Sequence, residues 1–81
     1  MAKFKFEMSK ADAIFAVKKA LNGKMAILGD KDDCLTVGSP MMTVKINFTE
    51  GEVTTSGTLF GKVLLGTVDS TIEITDGFKK V

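Results

Sequence analysis

The chain contains no histidine, arginine, tyrosine, tryptophan or glutamine, and lysine supplies all eleven of its basic residues. Without histidine there is no imidazole to act as a general base or as a metal ligand. Without arginine there is no planar cation for bidentate binding of phosphate or carboxylate. General acid–base catalysis would need strongly shifted carboxylates or lysines, and the sequence shows no arrangement of that kind. We therefore expect a protein that is not an enzyme and that uses no metal or cofactor.

Cysteine and long apolar runs are equally scarce. Cys34 is the single cysteine, so an internal disulfide or a thiol-clustered zinc site cannot form. No apolar run approaches the roughly 20 residues that span a bilayer, and the N-terminus lacks the apolar region of a signal peptide. These features predict a cytoplasmic protein with a reduced thiol and no membrane partner.

The charges are balanced, with ten acidic residues against eleven lysines and a formal net charge of +1. They alternate along the chain instead of clustering, and the residues that usually read or stack on bases are missing. We therefore expect no nucleic-acid partner. The length of 81 residues predicts a single domain, residues 1–81. Because a chain this short buries only about 60% of its surface, a homo-oligomer or another protein partner is expected.

The N-terminal third of the sequence predicts a strand followed by a helix. Apolar and polar residues alternate over residues 3–8, which is typical of a half-buried strand. Ser9 provides an N-cap oxygen and Asp12 a carboxylate in the first turn, so a helix should run from Lys10 to about Asn22. On that helix Phe15 falls outside the apolar arc and should be exposed.

The middle of the chain predicts a series of short strands. They are Met25–Leu28, Cys34–Val37, Met42–Thr49 and Val53–Leu59. Residues 29–33 have the composition of a turn between the first two. The third strand has the clearest alternation, with every second residue apolar from Met42 to Phe48, so one of its faces should belong to the core.

The segment from Lys62 to Thr75 is interpreted as a further strand. Its inward set would be Leu64, Val68, Ile72 and Ile74. Val63 and Leu65 interrupt this pattern. Either a bulge at Gly66 reverses the phase, or the outer sheet face carries an apolar patch. Alternatively, a turn at residues 69–70 divides the segment in two. Residues 76–81 are predicted to form a frayed tail or a docking turn.

The expected fold class is α+β, with the order β-α-β-β-β-β and possibly one further strand. The connections after the helix are too short for parallel crossovers, so the sheet should be antiparallel. With a single helix to cover one face of a curved sheet, the architecture should be a two-layer sandwich or roll.

Several short motifs resemble chemical sites and are better explained structurally. The aspartates of residues 30–33 lack the spacing of a calcium loop and suit a hairpin turn. Residues 57–62 end in Gly-Lys without the spacing of a phosphate loop. Cys34 has no histidine to activate it, and we expect a core or edge thiol. The many threonines of the later strands are interpreted as a solvated face.

The sequence favours a small non-catalytic interaction or structural module that self-associates through an open sheet face. The candidate interaction residues are Phe15, Phe60, Val63 and Leu65. The alternative is a carrier of a small apolar ligand, held in a pocket between helix and sheet. Its lining would be Ile14, Val17, Leu21, Met42, Val44, Ile46 and Phe48.

Overall fold

The computed structural model describes residues 2–58 and 60–81. The described residues form six strands and two helices, in the order β-α-β-β-β-β-α-β. The elements are β1 (Ala2–Phe6), α1 (Lys10–Leu21), β2 (Ala26–Lys31), β3 (Cys34–Gly38), β4 (Thr43–Thr49), β5 (Glu52–Gly57), α2 (Lys62–Ile74) and β6 (Phe78–Lys80). Leu59, at the end of the predicted fourth strand of the series, lies outside the described residues.

All six strands form one antiparallel sheet with the order β2-β3-β4-β5-β1-β6. The predicted α+β class and the antiparallel pairing are therefore confirmed. Strands β2 to β5 form a meander. The N-terminal strand β1 then lies between β5 and the C-terminal strand β6. The two strands from the ends of the described chain are therefore neighbours at one lateral edge of the sheet. The tail expected to fray or to form a docking turn is the sixth strand instead.

Helix α1 begins where the sequence predicts. The backbone N–H of Asp12 donates a hydrogen bond of 3.1 Å to Ser9 Oγ, so Ser9 is the N-cap. One face of the helix is buried, and its fully buried members are Ala13, Val17 and Leu21. Phe15 is 68% exposed, as the helical periodicity predicts.

The segment 62–75 is where the expected fold is wrong, because it forms helix α2 and not a strand. Leu64, Val68 and Ile72 occupy even positions, but they are also four residues apart, which is the spacing of one helical face. A strand with an inward even face would also need apolar residues at 66 and 70, where the chain has Gly66 and Ser70. Val63 and Leu65 consequently belong to α2 and do not lie on the outer sheet face.

Both helices pack on the same side of the sheet. The core combines α1 and α2 side chains with alternate residues of the strands. Its members are Phe4, Phe6, Ala13, Val17, Leu21, Leu35, Val37, Val44, Ile46, Phe48, Val53, Val68, Ile72 and Phe78. A polar contact also joins α2 to the sheet, where the buried Thr55 hydroxyl donates a 2.6 Å hydrogen bond to Asp69 Oδ1. The opposite face of the sheet has no helix over it in the described structure.

The hairpin between β2 and β3 is tighter than the sequence indicates. The predicted turn spans residues 29–33, but β2 continues to Lys31, which pairs with Cys34. Only Asp32 and Asp33 remain in the turn, with φ values of 55° and 62°. Positive φ at both central residues is typical of a type I′ hairpin, and aspartate tolerates this conformation better than most residues.

Substituting Gly66 by alanine tests the helical assignment of α2. A Cβ at this position would meet no atom within 4 Å. Alanine at an open position inside a helix is favoured over glycine by about 0.5 to 1 kcal/mol. Gly66→Ala should therefore raise the free energy of unfolding by about that amount in urea denaturation. A decrease would show that the residue is not in an unstrained helix interior.

Candidate functional site

The uncovered side of the sheet is the clearest functional candidate, and we call it the open face. Strand register places alternate residues of each strand on it. Its lysines are Lys3, Lys5, Lys31, Lys45 and Lys79. Its hydroxyl and amide side chains are Thr36, Thr43, Thr49, Thr54, Ser56 and Asn47. Among the strand residues that the structure describes, Glu52 is the one carboxylate on this side.

Two rows of paired residues show how the lysines are distributed. One row crosses the sheet from Lys3 through Thr54, Asn47 and Cys34 to Lys31. With neighbouring strands about 4.8 Å apart, its two lysines are separated by roughly 19 Å at the backbone. The positive charge is therefore spread across the width of the sheet.

The second row brings two lysines directly together. Lys5 of β1 is the cross-strand partner of Lys79 of β6, and both side chains are exposed. Like charges directly opposite each other on a sheet are destabilising. On the other side of Lys5 the row continues to Glu52 and Thr49. An anion bound beside this pair would relieve the repulsion between the two ammonium groups.

The ion pairs found within the described residues lie elsewhere. Lys10 of α1 pairs with Asp33 at 2.9 Å, and Lys18 of α1 pairs with Asp30 at 2.5 Å. The hydrogen bond and the charge of Asp33 raise the pKa of Lys10 above its ordinary value. Because a raised lysine pKa stabilises the fold only while the lysine is protonated, this pair is lost as pH rises through that pKa. No ion pair within residues 2–58 and 60–81 involves a lysine of the open face.

This surface is not apparent from the sequence. Lysines that alternate with apolar residues look dispersed along the chain, as Lys3 and Lys5 do around Phe4. In a strand, however, that alternation sends every lysine to the same face. The nearly neutral net charge therefore conceals an unequal distribution of charge between the two sides of the sheet. The face on which each lysine lies can be predicted from the alternation within its own strand. The pairing of β1 with β6 cannot be predicted in that way.

The predicted interaction residues do not form one surface on the sheet. Phe15 lies on α1, while Val63 and Leu65 belong to the first turn of α2 and Phe60 precedes that helix. Phe60 and Val63 are 61% and 76% exposed, whereas Leu65 is partly buried against the core. Their role in association stays a prediction.

The residues predicted to line an apolar pocket mostly pack against one another in the core. Val17, Leu21, Val44 and Ile46 are fully buried, and Phe48 is 4% exposed. Ile14 is partly buried against them, and Met42 is half-buried. A ligand between helix and sheet would have to displace these side chains, which gives the carrier alternative no support from the packing.

The aspartates of residues 30–33 serve the hairpin and its contacts with α1. Asp30 and Asp33 are the partners of Lys18 and Lys10, and Asp32 and Asp33 form the turn itself. Across residues 2–58 and 60–81, no group of three histidine, cysteine, aspartate or glutamate residues is placed to hold a metal ion. Cys34 is half-buried in β3 and lies between Lys31 and Asn47 on the open face.

Comparison of the chain with known protein families, with curated proteins and with solved structures finds no match. Neither described helix has the length and apolar character needed to cross a membrane.

Proposed function

We propose that the protein is a small non-catalytic interaction module whose open face binds an acidic segment of a partner protein. The observation that carries the proposal is the set of five exposed strand lysines on one sheet face, with Glu52 as the single strand carboxylate among them. Charge complementarity of this kind accelerates encounter and selects against cationic partners.

The chemistry of the face favours a protein over a nucleic acid. No aromatic residue lies on the described strands of this face, so bases would have nothing on which to stack. The hydroxyl and amide groups between the lysines suit hydrogen bonding to carboxylates and peptide groups.

A second copy of the chain is a poor occupant of the same face. In a symmetric dimer the same patch meets itself, so the lysines of one protomer would approach those of its partner. Self-association, predicted from the sequence, therefore fits the exposed apolar residues of α2 better than the open face. Val63 and Ile74 are each 76% exposed on that helix. Sedimentation at micromolar concentration tests this separate prediction.

The proposal is tested by the affinity of the protein for a synthetic nonapeptide of glutamate. Extended, this peptide spans about 30 Å, which exceeds the roughly 19 Å between Lys3 and Lys31. The double variant Lys3→Glu, Lys45→Glu should bind it at least about tenfold more weakly than the wild type, since two attractions become repulsions. Binding should also weaken as ionic strength rises.

A matched variant controls for net charge. Lys19→Glu, Lys62→Glu makes the same change in charge at exposed positions on the two helices. Its affinity for the peptide should remain close to that of the wild type. Equal losses in the two double variants would show that net charge alone drives binding. Tighter binding of a single-stranded oligonucleotide than of the peptide would assign the face to nucleic acid instead.

A further inference from the structure

A cleft lies at the end of the sheet where β1, β6 and the turn between β4 and β5 meet, and its lining includes residues of the open face and of the core side. Its volume is about 590 Å³. Its lining residues are Lys5, Phe6, Glu7, Met8, Gly51, Gly77 and Lys79. Gly51 and Gly77 contribute no side chains to the wall, and the end of the Met8 side chain lies directly against Gly77.

The cleft combines an apolar wall with the two lysines Lys5 and Lys79 and the one carboxylate of Glu7. Phe6 is 5% exposed and is held by the ring of Phe78, with ring centroids 5.6 Å apart, so it forms a fixed wall. Met8 is half-buried, and its flexible thioether side chain can adapt to an inserted group. Lys5 and Lys79 are cross-strand partners on the open face, whereas Phe6 lies on the core side of the same strand.

We propose that this cleft is the anchor pocket for an apolar side chain within the acidic partner segment. The inference rests on the proposed function and adds the identity of the recognised motif, which is an aromatic or large aliphatic residue flanked by carboxylates. The carboxylates lie against Lys5 and Lys79, and the apolar group lies against Phe6 and Met8. The carboxylate of Glu7, which also lines the cleft, disfavours an acidic residue in the pocket itself.

The physical reason for an anchor is that exposed lysines alone give weak and salt-sensitive binding. Ion pairs on a surface contribute little each, because water and salt screen them. Binding energy in protein interfaces concentrates instead in a few residues, often aromatic, that fill well-packed pockets from which water is excluded. At the described cleft, lysines of the open face lie next to an apolar residue of the core side within one pair of strands.

The test compares two peptides on the wild-type protein by isothermal titration calorimetry. Both are the glutamate nonapeptide with one central substitution, phenylalanine in the first and serine in the second. The phenylalanine peptide should bind about tenfold more tightly, as expected for partial burial of one phenyl ring. Equal affinities would overturn the anchor pocket while leaving the acidic partner in place. Failure of both peptides to bind would overturn the proposed function itself.

Two methionine variants locate the effect. Met8→Thr should bring the affinity for the phenylalanine peptide down towards that for the serine peptide. Met42→Thr changes another half-buried methionine that does not line the cleft, and the preference for phenylalanine should persist in it. Loss of the preference in both variants would place the pocket elsewhere. Thermal melts of the two variants show whether each is folded. If a variant is unfolded, the comparison of the two peptides on the wild-type protein still tests the proposal.

Discussion

Phe48→Ala is expected to lower the free energy of unfolding by about 3 to 5 kcal/mol. Phe48 is 4% exposed in β4, where its cross-strand partner is the fully buried Val53. Removing the ring loses its transfer free energy and leaves a cavity that the neighbouring strands cannot fill. Domains of this size have stabilities near the low end of about 5 to 15 kcal/mol, so most of the total would be lost.

The matched control for this variant lies three residues away on the same strand. Lys45 projects to the open face and is exposed, so Lys45→Ala should change the stability by less than about 0.5 kcal/mol. Urea denaturation of both variants gives the comparison. A loss at Phe48 well below about 2 kcal/mol would indicate that the ring borders an open cavity, as the carrier alternative requires.

Gly38→Ala should also destabilise the fold severely, by about 4 kcal/mol. The residue has φ of +112°, which L side chains rarely adopt, and this strain costs about 1 to 3 kcal/mol. A Cβ here would also meet the carbonyl oxygen of Met42 at 2.1 Å and Leu64 Cδ1 at 3.0 Å. Because the first of these atoms belongs to the backbone, the β3–β4 connection would have to move, at a further cost of about 1 to 3 kcal/mol.

Gly23→Ala separates the two contributions. Gly23 follows α1 with φ of +88°, but a Cβ there would meet nothing within 4 Å. This variant should therefore lose only the conformational part, about 1 to 2 kcal/mol. If Gly23→Ala and Gly38→Ala had equal effects in thermal melts, the close approach of Met42 and Leu64 to Gly38 would contribute nothing.

The parts of the fold that the sequence predicts are those controlled by neighbouring residues. Ser9 caps α1 because its hydroxyl lies three residues before a free backbone N–H, which is a local relationship. The alternation around Val44 and Ile46 defines the buried face of β4 without reference to any other strand.

Helix α2 could not be recognised in the same way, because its composition and its periodicity disagree. Valine, isoleucine and threonine supply much of residues 62–75, and their propensity favours a strand. The spacing of Leu64, Val68 and Ile72 fits one face of a helix, whereas a strand would also need apolar residues at 66 and 70. Packing of the buried Val68 and Ile72 against the sheet decides the outcome, and that contact is formed between distant parts of the chain.

The candidate site depends on the same kind of long-range information. Each lysine of the open face can be assigned to one side of its own strand from the sequence. Their assembly into one surface requires that β1 insert between β5 and β6. This insertion pairs Lys5 with Lys79, which are far apart in the sequence. The cleft beside that pair follows from the same insertion, so no local pattern predicts it.

The most direct test of the acidic-partner proposal is a titration of the ¹⁵N-labelled protein with the glutamate nonapeptide, followed by amide chemical shifts. The account predicts that the amides of open-face residues such as Lys3, Lys45 and Thr54 shift together with one dissociation constant. The amide chemical shifts of Lys19 on α1 and Lys62 on α2 should not change. Shifts concentrated on the two helices, with the strand residues unchanged, would contradict binding at the open face.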